Sequence, residues 1–585
     1  MRSAQRHQPH QAPQVHTVLN LDDTGRPLTY NTATAGPNKP HRETAAAEEI
    51  QRLIDTDTIQ AIYNIPSGCK STYYNPQVKE KQNNNGTTKY RVRGTIDGNL
   101  VNYSGPTTAR TAAMPLVKLL IHSVVSDNKS WLTLDIKDFY LGTPVDRPEF
   151  LRIPTKYIPE QIISANNLKP FLHNQHILLK VNKGIYGLPQ AGLLTQKGLM
   201  KHLAQHGYHQ TDATCLFRDQ SNGTDFSLGV DDFGVKYSTM DGVNHLITTL
   251  QLLYVITIDW TVGKYLGFTI LFNHDLCYED LSMPGYIAKV LERFAPHLSV
   301  GAASPATYVP PAYGHPDVAP ISDVSPTLTP EQKLTLQEFV GSLLYYARCI
   351  DVTILTAVNH LASAQANPTI TVMLTATRLL AYCSRYPNNA LRYHACDMIL
   401  HIQSDASYLS RPGARSVAGG IFYLGNVGEP TIINSGIHAI SSIILSVVAS
   451  VAEAEYAALF LNRQEEEWLR HLLVSLGYQQ QPTIILFDNK CAHGIATDTV
   501  KPKHTKSIDM RFHWIRDHIR AGHFSVCWRK GSDNFADFFT KPLPVIKHQE
   551  LMKLLIHVPL PGPAPTSLTH HTRCTACPTS SNGTD

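Results

Sequence analysis

Two adjacent aspartates, Asp231 and Asp232, interrupt an apolar, strand-forming run: Leu228, Gly229 and Val230 precede them, and Phe233, Gly234 and Val235 follow. The pattern predicts a β-hairpin whose turn carries both carboxylates. A chain needing only a turn would use Asn-Gly or Asp-Gly, which reach φ > 0 without stacking negative charge. A divalent cation removes the repulsion, because Mg2+ is held by one or two carboxylates together with substrate phosphates. The plain alternative is a solvated acidic turn. What weighs against it is a partner upstream, in the stretch Trp131 to Gly142. Leu132, Leu134 and Ile136 alternate as the buried face of a strand, and Asp135 projects from the other face near its end. An acid on a core-forming strand is expensive unless ligated. Between these acids, Lys183 to Gly192 reads as a loop punctuated by Gly and Pro that opens into a helix. Its Gln190 amide and loose backbone suit close approach to a nucleotide.

A second acidic series lies in the last third. His401 to Tyr408 is an apolar strand ending at Asp405, and Gly419 to Leu424 is a candidate neighbour. Ser450 with Glu453 forms a capping box, which starts a helix and puts Glu455 in its first turns. Thr483 to Asn489 is a buried strand closed by Asp488, and Gly531 to Lys541 enters a helix carrying Asp537. Singly, each acid has a plain reading, since helix-start glutamates favour the dipole and strand-end aspartates cap turns.

These acids need elements to position them, and the chain is long enough to supply several. At 585 residues it suggests about three to four domains, with 43% hydrophobic content ample for cores. A net charge of +4 does not announce nucleic-acid binding, so any basic surface is local. Ten scattered cysteines, Cys215, Cys349 and Cys383 among them, fit reduced intracellular thiols better than a disulfide framework. Met1 to Pro40 lacks the apolar core of a secretory signal and reads as loose. Thr431 to Ala452 carries no formal charge, but its serines, Asn434 and His438 make it too polar for a lipid-facing helix, so it is assigned to a strand and a helix start. Asp23-Thr24-Gly25 imitates an aspartic protease triplet without flanking β-structure and is read as a loop.

Glu43 to Ile54 has helix formers and a short apolar face. Lys79 to Asn85 reads as polar loop, and Lys89 to Gly94 as a short strand with Lys89, Arg91 and Arg93 on one face, suited to a triphosphate or simply a solvated basic edge. Asp259 to Phe268 supplies another strand pair, and Ser282 to Ile287 leads into a helix through Phe294. Ala302 to Pro330 is dense in proline and reads as an extended, semi-rigid connection. Thr329 caps the following helix, with Pro330 in its first turn and Gln332 three residues on. Lys501 to Lys506 and Asp509 to Arg516 interleave cations with aromatics, fitting either a phosphate backbone with stacked bases or an amphipathic helix with a basic face. Glu550 to His557 is a last apolar helix, and Cys574 and Cys577, without a second pair, are assigned to unstructured tail.

The wording "DIKDFYL", "YGLPQAG" and "VDDFG", in that order, resembles the reverse transcriptase of copia-type LTR retrotransposons, and "SDAS", "AEAEYAAL", "FDNKCA" and "SDNFADFFTK" resemble their RNase H. The resemblance covers about Glu43 to Pro544. It implies α/β and α+β architecture over several domains: a right-hand polymerase of fingers, palm and thumb, followed by an RNase H-like α/β domain. It implies that Asp135, Asp231 and Asp232 bind metal in the polymerase and that Asp405, Glu455, Asp488 and Asp537 do so in the nuclease, with Glu453 left to the helix cap. Each site would hold two Mg2+, or Mn2+, those of the nuclease about 4 Å apart. Tyr140 takes the place that excludes a ribose 2′-OH, Gln190 lies beside the incoming nucleotide, and Arg91 or Arg93 meets the triphosphate. Gly229 departs from the family, which has a β-branched or large apolar residue before the aspartate pair.

The expected organisation is a loose segment 1–42, polymerase 43–300, linker 301–329, helical connection 330–398, nuclease 399–545, and a terminal helix and tail 546–585. The implied activity is RNA-directed DNA synthesis with hydrolysis of the RNA in RNA–DNA hybrids. The partners are RNA template, DNA primer, hybrid and dNTPs, with a second copy or other polyprotein products alongside and no membrane. The expected location is a cytoplasmic retrotransposon particle, or the nucleus. No zinc knuckle, protease or integrase triad is visible, so the expectation is the C-terminal part of a polyprotein, as a fragment or decayed copy. A catalytically silent nucleic-acid-binding relic is the alternative of another class.

Overall fold

A computed structural model describes residues 29–36, 38–82, 88–261, 263–298, 300–310, 323–428, 433–500 and 509–558. The Asp23–Gly25 triplet, Lys501–Lys506 and the Cys574–Cys577 pair lie outside the described residues.

Among the described residues the architecture is mixed α/β over several units, built on four sheets. The first unit has a sheet in the order Ile59–Ile62, His176–Lys183, Pro144–Pro154, Ser71–Gln82 and Thr88–Ile96, with Leu172–His173 beside His176–Lys183. The helix Lys39–Asp55 lies against it through Ile50 and Leu53. Its Glu49 accepts the Gly94 backbone N–H at 2.7 Å, and its Arg52 pairs with both Glu49 and Asp138. One helix therefore locates both the basic strand and the loop just past Asp135. The sequence predicts a polar loop from Lys79; instead Lys79 to Gln82 extends the strand, since Lys79 pairs with Arg91 and Gln82 with Thr88 across a long hairpin.

The second sheet is antiparallel throughout, in the order Ile256–Asp259, Ser130–Ile136, Asp232–Tyr237, Thr224–Gly229 and Leu216–Asp219. Phe233 pairs with Leu134 and Leu228, and Val235 with Leu132 and Phe226, so one face is apolar. The helices Met114–Ser126 and Met240–Gln251 pack on this sheet. A third sheet, Lys264–Tyr265, Phe268–Asn273 and Tyr278–Ser282, receives a fourth strand from far along the chain, Ala390–His394. The connection is thus helical only as far as Arg385, because Arg392 makes a bidentate 2.7 Å pair with Asp280 and stacks 3.9 Å above the Tyr278 ring. The described flanks of the proline-dense stretch are likewise tied down. Ala302 N–H donates to Ala381 O and Leu328 N–H to Pro368 O, both at 2.9 Å.

The fourth sheet runs His438–Ile444, Arg415–Gly425, Ile399–Arg411, Thr483–Phe487, Phe524–Trp528; its first three strands are antiparallel and its last two parallel to the centre. This is the α/β architecture expected for the last third of the chain. The helix Val451–Ser475 packs over its central strands. Ser450 accepts the Glu453 N–H at 3.2 Å, but the Glu453 carboxylate takes the Ala449 N–H at 2.7 Å, so the cap differs from the reciprocal box predicted. Asp537, predicted on a helix, sits on a five-residue 3-10 turn, Phe535–Phe539. Gln403 Oε1 captures the Phe535 N–H at 2.7 Å and Asn534 donates to Ser404 O at 2.9 Å, which pins the turn to the central strand before a longer helix can form. One continuous core of buried apolar side chains runs from Leu120 and Leu134 through Leu343 and Leu379 to Leu400 and Leu473. Among the described residues no helix is long and apolar enough to cross a membrane.

Candidate functional site

The sheet register brings the first set of acids together. Asp232 and Asp135 are direct cross-strand partners, and Asp231 closes the turn, its carbonyl accepting the Ile136 N–H at 3.0 Å. Like charges directly opposite each other destabilise a ladder. Burial, then the neighbouring Asp231 and Asp135 carboxylates, push the Asp232 carboxyl up to about 7, and burial also raises Asp231. The turn itself is strained, because Val230, a β-branched residue, holds φ at 70°. Gly229, opposite Asp232, is explained by packing: a Cβ there would come within 2.6 Å of Leu266 Cδ2.

The residues expected at a nucleotide separate into two groups. Arg93 lies 3.9 Å above the Tyr186 ring, and Tyr186 meets Tyr140 edge-on at 5.1 Å. Burial and then the Asp231 charge push the Tyr140 hydroxyl up to about 12, while the Arg93 charge acts on both Asp231 and Tyr140 in the opposite sense. Arg93, Tyr186 and Tyr140 therefore form one chain of contacts that is within electrostatic reach of Asp231. Arg91, two residues away, is exposed and sits opposite Lys79. Gln190, expected at the nucleotide, is fully buried as the residue before the helix Ala191–Gln205 and donates to Glu149 Oε1 at 3.2 Å. It braces the loop from beneath. Tyr186 was not singled out from the sequence, although it lies inside the "YGLPQAG" wording.

The second set is tighter. Among the described residues, Asp405, Glu455 and Asp488 form the group whose ligand atoms all lie within 4.8 Å of one another. Among the described residues, the hairpin acids Asp135, Asp231 and Asp232 do not form such a group. Asp405 comes from the central strand, Glu455 from the first turns of the long helix, and Asp488 from the end of the adjacent parallel strand. Glu455 Oε2 is buried and has no hydrogen-bond partner, and Glu453 stays with the cap. Burial and then the Asp537 charge push Asp405 up to about 7, burial and then Asp405 raise Glu455 well above the usual range, and burial raises Asp488. An orphaned carboxylate oxygen among three crowded acids fits a hard divalent cation with oxygen ligands.

Asp537, expected as the fourth ligand, neighbours this cage without joining that group. Its Oδ1 accepts from Lys541 Nζ and its Oδ2 from Lys547 Nζ, each at 2.7 Å. Burial alone would raise its carboxyl, but the two ammonium groups outweigh it and hold it low. Thr540 donates to Asp405 Oδ2 at 2.5 Å. Thr540, Lys541 and Lys547 were missed in the sequence because nothing in their spacing separates them from an ordinary helix flank. Two glycines permit the fit: a Cβ on Gly419 would meet Thr540 Cγ2 at 2.6 Å, and one on Gly531 would meet Asp488 Oδ2 at 2.6 Å.

The aromatic-basic helix Asp509–Arg520 is largely engaged within the fold. Arg516 pairs with Asp498 at 2.5 Å, Arg511 donates to Ser446 Oγ at 3.3 Å, and Trp514 packs edge-on against Phe460.

No family model matches the chain. The Pol polyprotein of transposon TNT 1-94 from Nicotiana tabacum is 23% identical over 560 residues, 93% of this chain and 40% of that protein. The Ty1-DR5 Gag-Pol polyprotein of Saccharomyces cerevisiae is 23% identical over 453 residues, 74% of this chain and 24% of its own length. The relatives of this chain are copia-type Pol polyproteins. A third, the Pol polyprotein of transposon RE1 from Arabidopsis thaliana, is 31% identical over 207 residues, 35% of this chain and 14% of that protein. The chain thus spans 40% or less of the length of these copia-type relatives. Among solved structures, a foamy viral protease-reverse transcriptase in complex with double-stranded DNA aligns over 83% of this chain and 70% of its own, at 12% identity and a TM-score of 0.47. An RNase H1 isolated from compost aligns over 24% of this chain and 91% of its own, at 17% identity and a TM-score of 0.19.

Proposed function

We propose that the chain is the RNA-directed DNA polymerase and ribonuclease H of a copia-type retrotransposon, working in a cytoplasmic particle on RNA template, DNA primer and dNTPs. The observation that carries the reading is that two separate sheets of one chain each present a crowd of carboxylates: Asp135 with Asp231 and Asp232, and Asp405 with Glu455 and Asp488. When bound, Mg2+ or Mn2+ supplies charge for an in-line displacement at the first site and acidifies a water at the second. The chain's own part is positioning. Asp232 and Asp135 face each other across the ladder, Arg93 offers a guanidinium fork to phosphate oxygens, and the Tyr140 ring bounds the space a sugar would occupy. At the second site Thr540 fixes Asp405, and Asp537 stands beside the cage paired to Lys541 and Lys547.

Primer extension on an RNA template and cleavage of an RNA–DNA hybrid, measured on the same preparations, test the reading. Asp231→Asn is expected to abolish extension and spare cleavage, and Asp405→Asn to do the reverse. Equal extension by the original chain and Asp231→Asn would leave a nucleic-acid-binding chain without polymerase chemistry.

A further inference from the structure

Lys541 and Lys547 each place an ammonium on one oxygen of Asp537, 2.7 Å away, and the Lys541 charge also acts on Asp405, Asp488 and Glu455. Both lysines remain in part open to solvent, with side chains 46% and 33% exposed. Beside them the Asp405, Glu455 and Asp488 cage holds an unpartnered oxygen, Glu455 Oε2, on a side chain only 4% exposed.

We infer that Lys541 and Lys547 are positioning residues that make divalent-ion loading of the nuclease cage stepwise. The inference rests on the nuclease reading above and deepens it. An ion using Asp405, Glu455 and Asp488 meets oxygens that no lysine covers. An ion that also needs Asp537 must displace a lysine from it, exchanging an ammonium for a metal–oxygen contact at the same carboxylate. Removing a lysine removes that competition and a like charge close to the entering ion, while it leaves Asp405, Glu455 and Asp488 in place. Two sites of unequal affinity follow, and the weaker one is set by the lysines.

The test counts bound Mn2+ by electron paramagnetic resonance on the full chain carrying Asp231→Asn and Asp232→Asn, so that ions at the polymerase acids do not contribute. In that background the expectation is one tighter and one weaker ion, both lost with Asp405→Asn. Lys541→Met is expected to tighten the weaker ion by about tenfold or more, as loss of a nearby cation requires. Lys547→Met should tighten it less, since the Lys547 charge acts on Asp537 and Asp488 whereas that of Lys541 acts on Asp405 and Glu455 as well, and Lys541→Arg should leave it unchanged. If no ion is bound that Asp405→Asn removes, the nuclease reading itself fails. If two ions bind but neither Lys541→Met nor Lys547→Met alters the weaker one, the nuclease reading stands and this inference is overturned. Circular dichroism on each variant confirms folding, and the two lysine variants give independent readings should one of them misfold.

Discussion

Gly531 should be a position where one methyl group separates stability from catalysis. A Cβ there would lie 2.6 Å from Asp488 Oδ2, whereas ordinary contact begins near 3.4 Å, so the carboxylate has to retreat by about 0.8 Å. The obstructing atom is the end of a flexible side chain, and Gly531 does not hold a positive φ, so Gly531→Ala costs little in folding, about 0.5 kcal/mol or less. The same displacement matters to a ligand, because Mg2+ tolerates little departure from its geometry and a misplacement of about 1 Å can cost about a hundredfold in rate. Hybrid cleavage by Gly531→Ala is expected to fall by about ten- to a hundredfold, with primer extension by the same preparation unchanged and the thermal midpoint within a degree or two. Unchanged cleavage would show that Asp488 takes no part in the cage, and a parallel loss of extension would show a global defect.

Three further expectations follow from the same geometry. Thr540→Val should weaken hybrid cleavage and destabilise the chain by about 1–3 kcal/mol, because the buried Asp405 loses its 2.5 Å donor; denaturant midpoints compared with Thr540→Ser, which keeps the hydroxyl, check it. Arg93→Gln should raise the KM for dNTPs in primer extension by tenfold or more, and Arg91→Gln should change it less than twofold, since only Arg93 faces Tyr186 and Asp231; equal effects would refute the distinction. Asp405 and Asp232, both lifted to about 7 by burial and neighbouring acids, take up protons more readily folded than unfolded. Without metal they therefore favour folding fully below the unfolded carboxylate range near 4, and that contribution fades as pH rises through about 7. A divalent cation takes the deprotonated form, so its stabilisation of the chain in thermal melts should shrink as pH falls from about 8 to about 6; a constant stabilisation over that window would sink the assignment.

What could be read from the residues was what alternation and punctuation encode locally. The Asp231–Asp232 hairpin was legible because β-formers flank an expensive pair of charges, and Asp135 because it breaks an apolar alternation. Glu455 was separable from Glu453 by its place in a motif, and the structure gives each acid a different neighbour. Long-range pairing was not legible. No local pattern announces that Ala390–His394 crosses to the Tyr278–Ser282 strand, that Gln403 intercepts the Phe535 N–H and truncates a helix to a 3-10 turn, or that Gln190 is swallowed by Glu149. Lys541 and Lys547 escaped notice for the same reason, since their partner is fixed by a turn whose shape depends on a strand more than a hundred residues earlier. Gly229 looked like a weakness in a strand until Leu266, far along the chain, filled the space beside it.

The two acid clusters solve the same electrostatic problem differently, and the difference follows from their secondary structure. The hairpin acids sit on neighbouring strands of one antiparallel sheet, where register forces Asp232 against Asp135 and leaves protonation as the relief before an ion arrives. Asp405, Glu455, Asp488 and Asp537 come from two strands, a helix and a 3-10 turn, and the chain leaving that turn brings Lys541 and Lys547 back over Asp537. Its charge is partly balanced from within. Both clusters should therefore depend on pH, since Asp232 and Asp405 are lifted alike, and the second cage should add to this a competition with its own lysines, although one continuous core holds both. Measuring Mn2+ affinity in Asp231→Asn/Asp232→Asn and in Asp405→Asn chains, each with and without Lys541→Met, separates the two: the lysine substitution should tighten binding only where Asp405 is intact, and an equal gain in both chains would mean that the contrast drawn from the 2.7 Å contacts is wrong.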